Sequence, residues 1–188
     1  MRRMVAAGAV IAGLMAGQAG AADVEALIEQ AKAAARRKDS PALIKALQDA
    51  LEEARRGAPL VADPFVLVAA KAPMYGGYEQ RKDAVFRGDE AMLFYLEPKN
   101  LIYPRNAQGL FTPGLAIDLE IADAAGTVIG RKDRFGVFPF TSQSPLRDIF
   151  VNLEVSLSGP PGDYEIRFVL HDLNSTKTAT VKQKVTRR

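Results

Sequence analysis

Residues 149–171 read Ile-Phe-Val-Asn-Leu-Glu-Val-Ser-Leu157, then Ser-Gly-Pro-Pro-Gly-Asp163, then Tyr-Glu-Ile-Arg-Phe-Val-Leu-His171. Two alternating runs flank a turn. Ile149, Val151, Leu153, Val155 and Leu157 fall on one side of the first run, with Asn152, Glu154 and Ser156 on the other. Tyr164, Ile166, Phe168 and Leu170 do the same opposite Glu165, Arg167 and His171. Successive side chains of a strand point to opposite faces, so each run predicts a strand with one dry and one wet face. That pattern marks an antiparallel sheet. Gly159-Pro160-Pro161-Gly162 has the residues of the turn between them.

The same texture extends outward in both directions. Strands are predicted at 65–71, 81–86, 91–97, 115–122, 127–132, 148–157, 163–171 and 177–185. Gly76-Gly77, Arg87-Gly88-Asp89 and the Asp123–Gly126 stretch punctuate them. Seven or eight short strands without a helical pattern between them predict a mainly β domain over 65–188, an antiparallel β-sandwich. Pro139, in Phe135-Gly-Val-Phe138-Pro-Phe140, excludes a regular central strand there and predicts an edge strand or a pinned loop.

The first 64 residues differ. Arg2 and Arg3 precede an uncharged, mostly apolar run from Val5 to Ala16, and Ala19-Gly20-Ala21 follows. This order predicts a secretory signal peptide over 1–22, cleaved near Ala21 or Ala22. The apolar run is too short to span a membrane, which takes roughly 20 residues. No transmembrane segment is expected after its removal, and the protein is expected in the periplasm or outside the cell. Residues 23–57 are rich in Ala, Leu, Glu, Lys and Arg. Val24, Leu27, Ile28, Ala31 and Ala35 form one helical stripe, and Leu43, Leu47, Ala50, Leu51 and Ala54 a second. A helical hairpin follows, with Asp23 and Ser40 as expected N-caps, Pro41 in the first turn and Gly57 as the stop. Residues 58–64 read as a linker.

Composition narrows the chemistry. The chain has no cysteine and one histidine. Thiol nucleophiles and disulfides are excluded, and zinc or copper sites, which want several His or Cys ligands, are not expected. Losing Arg2 and Arg3 with the leader takes the net charge from +3 to +1, so charge gives no nucleic-acid footprint. His171 stands beside Asp172, but no G-x-S-x-G elbow accompanies them. Neighbouring strand residues face opposite ways, which predicts a surface histidine at a strand end. Asp118, Glu120 and Asp123 lack EF-hand spacing. Glu52-Glu53 and Asp89-Glu90 are sequence neighbours, not carboxylates opposed across a cleft. Arg87-Gly88-Asp89 reads as turn residues that happen to spell an integrin-binding tripeptide. No catalytic, metal or cofactor residue is therefore assigned. Tyr75, Tyr78, Tyr103, Phe135, Phe138 and Phe140 remain as candidates for a partner or ligand surface, since aromatic residues on loops suit recognition.

Two resemblances add to this reading. Leu157-Ser-Gly-Pro-Pro-Gly-Asp-Tyr164 and the strand after it resemble the penultimate strand of fibronectin-type and immunoglobulin-like domains. The resemblance implies an immunoglobulin-like sandwich with a tyrosine corner at Gly162 and Tyr164. The immunoglobulin cysteine pair and core tryptophan are absent. More widely, Tyr75-Gly-Gly-Tyr78, Phe86-Arg-Gly-Asp-Glu90, Tyr95-Leu-Glu97, Pro161-Gly-Asp-Tyr164, Asp172 and Lys177 resemble a pattern in uncharacterised exported proteins of Gram-negative bacteria. It implies the bacterial envelope and no particular activity.

The expectation is a non-enzymatic periplasmic adaptor whose partner is an envelope protein. A small-ligand or glycan-binding protein using loop tyrosines is the alternative, followed by a carboxylate-based hydrolase. A partner site predicts an uncovered apolar strip on the helices or at 135–140. A ligand site predicts a pocket with convergent tyrosines, and an enzyme predicts facing carboxylates with perturbed pKa values.

Overall fold

The computed structural model describes residues 12–188. The chain divides into two compact units, 1–58 and 59–188. It is mainly β, with two helices ahead of the strands. The first eleven residues of the expected signal peptide lie outside the described part.

The first unit is a helical hairpin, α1 (Ala12–Arg36) and α2 (Ser40–Gly57). Asp23, expected as a cap, lies inside α1, which starts further upstream in the full chain. Lys38 takes a left-handed φ of 56° after α1. Asp39, not Ser40, caps α2: its carboxylate accepts a hydrogen bond from Ala42 N at 3.1 Å. Ser40 is already helical, and Pro41 sits in the first turn as expected. Gly57 is not the left-handed stop. The helix runs through it, and Ala58 ends it in extended conformation with its N–H on Ala54 O. Among residues 23–57 the buried side chains are all small, Ala31, Ala34, Ala46 and Ala50, and Val24, Leu27 and Leu43 are half-buried.

The second unit has eight strands: β1 (Val61–Leu67), β2 (Val85–Phe86), β3 (Met92–Lys99), β4 (Gly114–Asp123), β5 (Val128–Pro139), β6 (Val151–Val155), β7 (Gly162–Asp172) and β8 (Thr178–Arg187). They form a three-stranded sheet, β1-β3-β6, and a five-stranded sheet, β2-β8-β7-β4-β5. One core is drawn from both, with Phe94 and Leu96 from the small sheet and Leu115, Ile117, Ile166, Phe168 and Leu170 from the large one. The Phe94 and Phe168 rings meet edge to face, 5.1 Å between centroids. The alternation read in 149–171 holds: Ile149, Val151, Leu153, Val155 and Leu157 are buried, as are Tyr164, Ile166, Phe168 and Leu170.

Several expectations need correction. The pairing is not wholly antiparallel, because β2 runs parallel to β8. β2 keeps only two residues of the predicted 81–86. The linker expected at 58–64 contains the start of β1, which begins at Val61. Pro64 is tolerated because β1 is an edge strand whose register shifts between Ala62 and Phe65. β5 runs beyond 132 to Pro139 and is the edge strand that Pro139 implied. It bulges opposite Asp118, where Arg134 takes φ 49°, a conformation uncommon outside glycine. The bulge and the charges of Arg131, Lys132, Asp133 and Arg134 blunt an edge otherwise open to strand pairing.

Candidate functional site

β3 departs from the one-face-wet pattern, and the cause locates the most elaborate loop of the unit. Phe94 and Leu96 face the main core, yet Tyr95 is fully buried and Glu97 is 6% exposed on the opposite face. The segment between β1 and β2 covers them. Its base is closed by Ala69 N on Glu79 O at 2.9 Å and Arg81 N on Leu67 O at 2.9 Å. A loop whose ends meet and whose own side chains fill it is an Ω-type loop, a form often used for recognition. Asn152, on the wet side of β6, holds the loop as another backbone would. Its side chain accepts from Ala72 N at 3.0 Å and donates to Ala72 O at 2.9 Å. Beneath the loop a second apolar cluster forms from Val68, Ala72 and Tyr95, with Val66, Tyr78, Leu93 and Phe150 against it. Tyr78 and Phe150 lie 4.5 and 5.6 Å from the Tyr95 ring.

The polar groups there are satisfied by one another. Tyr95 OH donates to Glu97 Oε1 at 2.7 Å and accepts from Gly76 N at 2.8 Å. Gly76 presents that amide at φ +68°, where glycine is unstrained. Burial pushes the Tyr95 hydroxyl up to about 12; the Gly76 amide opposes this and Glu97 adds to it. Tyr75 is raised chiefly by its hydrogen bond to Glu97. Val68 and Ala72 are buried and Tyr78 half-buried, while the rest of the loop from Ala69 to Gln80 is exposed, Met74 and Tyr75 included.

The structure does not gather the six candidate aromatics. Tyr75 and Tyr78 belong to this loop. Tyr103 donates its hydroxyl to Leu146 O at 2.6 Å, and with Phe135, Phe138 and Phe140 it packs half-buried against the main core. Between those rings Val137 and Pro139 stay exposed on the other face of the segment. Tyr164 OH donates to Pro160 O at 2.7 Å, the bond of a tyrosine corner. A groove of about 520 Å³ beside it is lined by Asp123, Asp163, Glu165, Arg167 and Lys184. Tyr164 faces that groove with its hydroxyl already engaged, and Glu165 is paired with Arg167 at 2.5 Å.

His171 finds a partner the sequence did not disclose. Its Nε2 lies 2.9 Å from Asp118 Oδ2 on the neighbouring strand β4. Asp118 Oδ1 accepts from Arg134 N at 2.7 Å, so the same carboxylate holds the β5 bulge. Asp172 turns inward instead. Though 3% exposed, it accepts from Ile102 N, Asn174 N and Ser175 Oγ, all within 2.9 Å. Lys177 Nζ donates to Asn100 O at 2.9 Å, and burial lowers its pKa against the pull of Asp172. Hydrogen bonds and neighbouring cations hold Glu29, Asp83, Glu90, Asp118 and Glu165 below the ordinary carboxylate value. That is the direction of ion-paired groups, whereas a general acid is tuned upward.

Among the described residues no group of three or more His, Asp or Glu side chains is placed to hold a metal ion, and no helix is long and apolar enough to cross a membrane. Of the polar residues of the wider sequence pattern, Tyr75, Glu90, Tyr95, Glu97, Tyr164, Asp172 and Lys177 tie a loop to a sheet or to another loop. Compared with known proteins, the chain matches no protein-family model and none of the curated proteins.

Proposed function

We propose that this protein is an exported, non-enzymatic interaction module of the bacterial envelope, an immunoglobulin-like sandwich carrying a helical hairpin that receives a partner protein. The observation that supports this reading is the distribution of apolar residues on the hairpin. Among residues 23–57 the fully buried side chains are alanines, with Val24, Leu27 and Leu43 half-buried, while Ile28, Ile44, Leu47 and Leu51 are 39–56% exposed. Ile44, Leu47 and Leu51 stand at i, i+3 and i+7, one face of α2. Burying a Leu or Ile side chain is worth about 1.5–3 kcal/mol, and α2 leaves three of its four large aliphatic residues exposed. A face of this kind suits helix-in-groove recognition. Around it Lys45 pairs with Asp49 at 2.6 Å and Arg56 with Glu53 at 2.7 Å, the polar surroundings of a contact face.

The test is a photo-crosslinking residue at position 47 of the full chain, expressed in Gram-negative cells, with position 45 as control. One recurrent protein captured from 47, and lost on Ile44→Asp, is the expected result. Capture equal from 45 and 47, or crosslinks confined to the chain itself, would sink the reading.

A further inference from the structure

Arg87-Gly88-Asp89, readable in the sequence as ordinary turn residues, occupies a turn that is pinned at its base and open at its tip. It lies between β2, which ends at Phe86, and β3, which begins at Met92. Glu90 N donates to Arg87 O at 3.0 Å and closes the turn. Gly88 takes φ +54°, a conformation that favours glycine. Glu90 holds the base from two sides: one carboxylate oxygen accepts from Arg87 N at 3.1 Å, the other from Arg81 Nη1 at 2.6 Å. The Arg81 guanidinium in turn lies 4.3 Å over the buried Phe86 ring. Gly88 N reaches Arg188 O at 3.4 Å.

The fold therefore ties Arg81, Asp83 and Glu90 of this region into the base and leaves Arg87 and Asp89 at the tip. Arg87 is exposed and acts within the fold as a charge felt by Asp83. The Asp89 side chain is 96% exposed, and its ion pair with Arg187 Nη2 is 4.0 Å long. Arg187 is itself 14% exposed and also donates to Gly159 O, so the long contact leaves nearly all of the Asp89 carboxylate open to a partner. The backbone is fixed before any partner arrives, which lowers the entropy cost of binding.

We propose that this turn is a recognition site for a receptor that reads Arg-Gly-Asp through a bound divalent cation, the chemistry of the integrin class. The Asp89 carboxylate takes an open oxygen position on the receptor's ion. The Arg87 guanidinium pairs with a receptor carboxylate, where its planar fork gives two charge-assisted hydrogen bonds. Gly88, without a side chain, lets the receptor surface approach the backbone between them. The physiological setting rests on the export reading above; the binding itself does not depend on the hairpin.

The test uses the purified full chain over an immobilised integrin ectodomain of Arg-Gly-Asp specificity, in manganese. Saturable binding is expected, removed by chelation and competed by a free Arg-Gly-Asp peptide. Asp89→Glu moves the carboxylate by one methylene and should weaken binding by about tenfold or more with an unchanged melting temperature, while Leu47→Asp should leave binding unaltered. Absence of cation-dependent binding, or equal binding by Asp89→Glu, overturns the proposal and leaves the hairpin reading standing.

Discussion

Asp118 shows how much structure one carboxylate can organise. It sits in the second strand from the edge of the large sheet, takes His171 from one neighbour and the Arg134 amide from the other, and is 13% exposed. Burial pushes its pKa up, but the Arg134 amide and His171 outweigh this, and the net displacement is downward. A carboxylate whose folded pKa lies below its unfolded value, about 3.9, adds stability above that value and loses it as pH falls through the folded pKa. Asp118→Asn, which imitates the protonated acid, should therefore cost roughly 1 kcal/mol near pH 6, and the difference from the native chain should start to shrink below about pH 4 and fade as pH drops through the lower, folded pKa. Denaturant midpoints taken from neutral pH down into strong acid check this; a gap that does not shrink with falling pH would assign the loss to shape and not to charge. The sequence showed His171 with Asp172 beside it, and the alternation of strand side chains already argued against their pairing. What it could not show was which residue stands opposite on the next strand. The β4–β7 register, with Ala116 facing His171 and Asp118 facing Val169, brings His171 diagonally against Asp118.

Among elements, the Ω-type loop over β3 is the one least visible beforehand. Tyr75, Tyr78 and the two glycines suggested a surface loop, and Tyr95-Leu-Glu97 suggested a half-wet strand. The only hint of cover lay in Phe150 and Tyr95, large aromatics at positions the alternation assigns to water. Strands buried on both faces lose the clean alternation, so a break in the pattern is itself a signal of a second layer. The elements with strong local chemistry were easier: α2 with its proline start, β6 and β7 with their alternation, and the Asp123–Gly126 hairpin, where Asp123 Oδ1 accepts from Ala125 N and Thr127 N. Caps were harder, because Asp39 and Ser40 both suit the role and one residue decides between them. The loop's attachment rests on few bonds, chiefly those of Asn152 and Tyr95. Asn152→Ala should thus free the Ala72 amide and speed hydrogen exchange across 70–78, while the β3–β7 core amides keep their protection. If exchange accelerates equally in loop and core, the loop is part of the cooperative core and not a layer laid upon it.

At the scale of the whole molecule, the division of the chain follows from where its large apolar side chains are. Both apolar clusters of the strand unit draw on residues from Leu60 onward. Phe65, Phe94, Phe135 and Phe168 knit the two sheets through ring contacts of 5.1–6.1 Å, each worth about 0.5–1.5 kcal/mol beyond the area it buries. Among residues 23–57 the fully buried side chains are alanines, and Ile44, Leu47 and Leu51 of α2 stay exposed. The two units thus differ in what they bury: large side chains in the strand unit, small ones in the described part of the hairpin. A chain of 130 residues with a continuous core lies within the size of independent domains. Residues 59–188, produced alone, should then fold with a single cooperative transition and native strand content by circular dichroism, whereas residues 23–58 alone should show weak, concentration-dependent helicity. The proposals of export and partnership rest on residues 1–57 and the β fold on residues 59–188, so the fragment experiment separates them. A strand fragment that stays unfolded would mean that the core needs the helices, and the hairpin would then have to be counted among the elements that hold the sheets together.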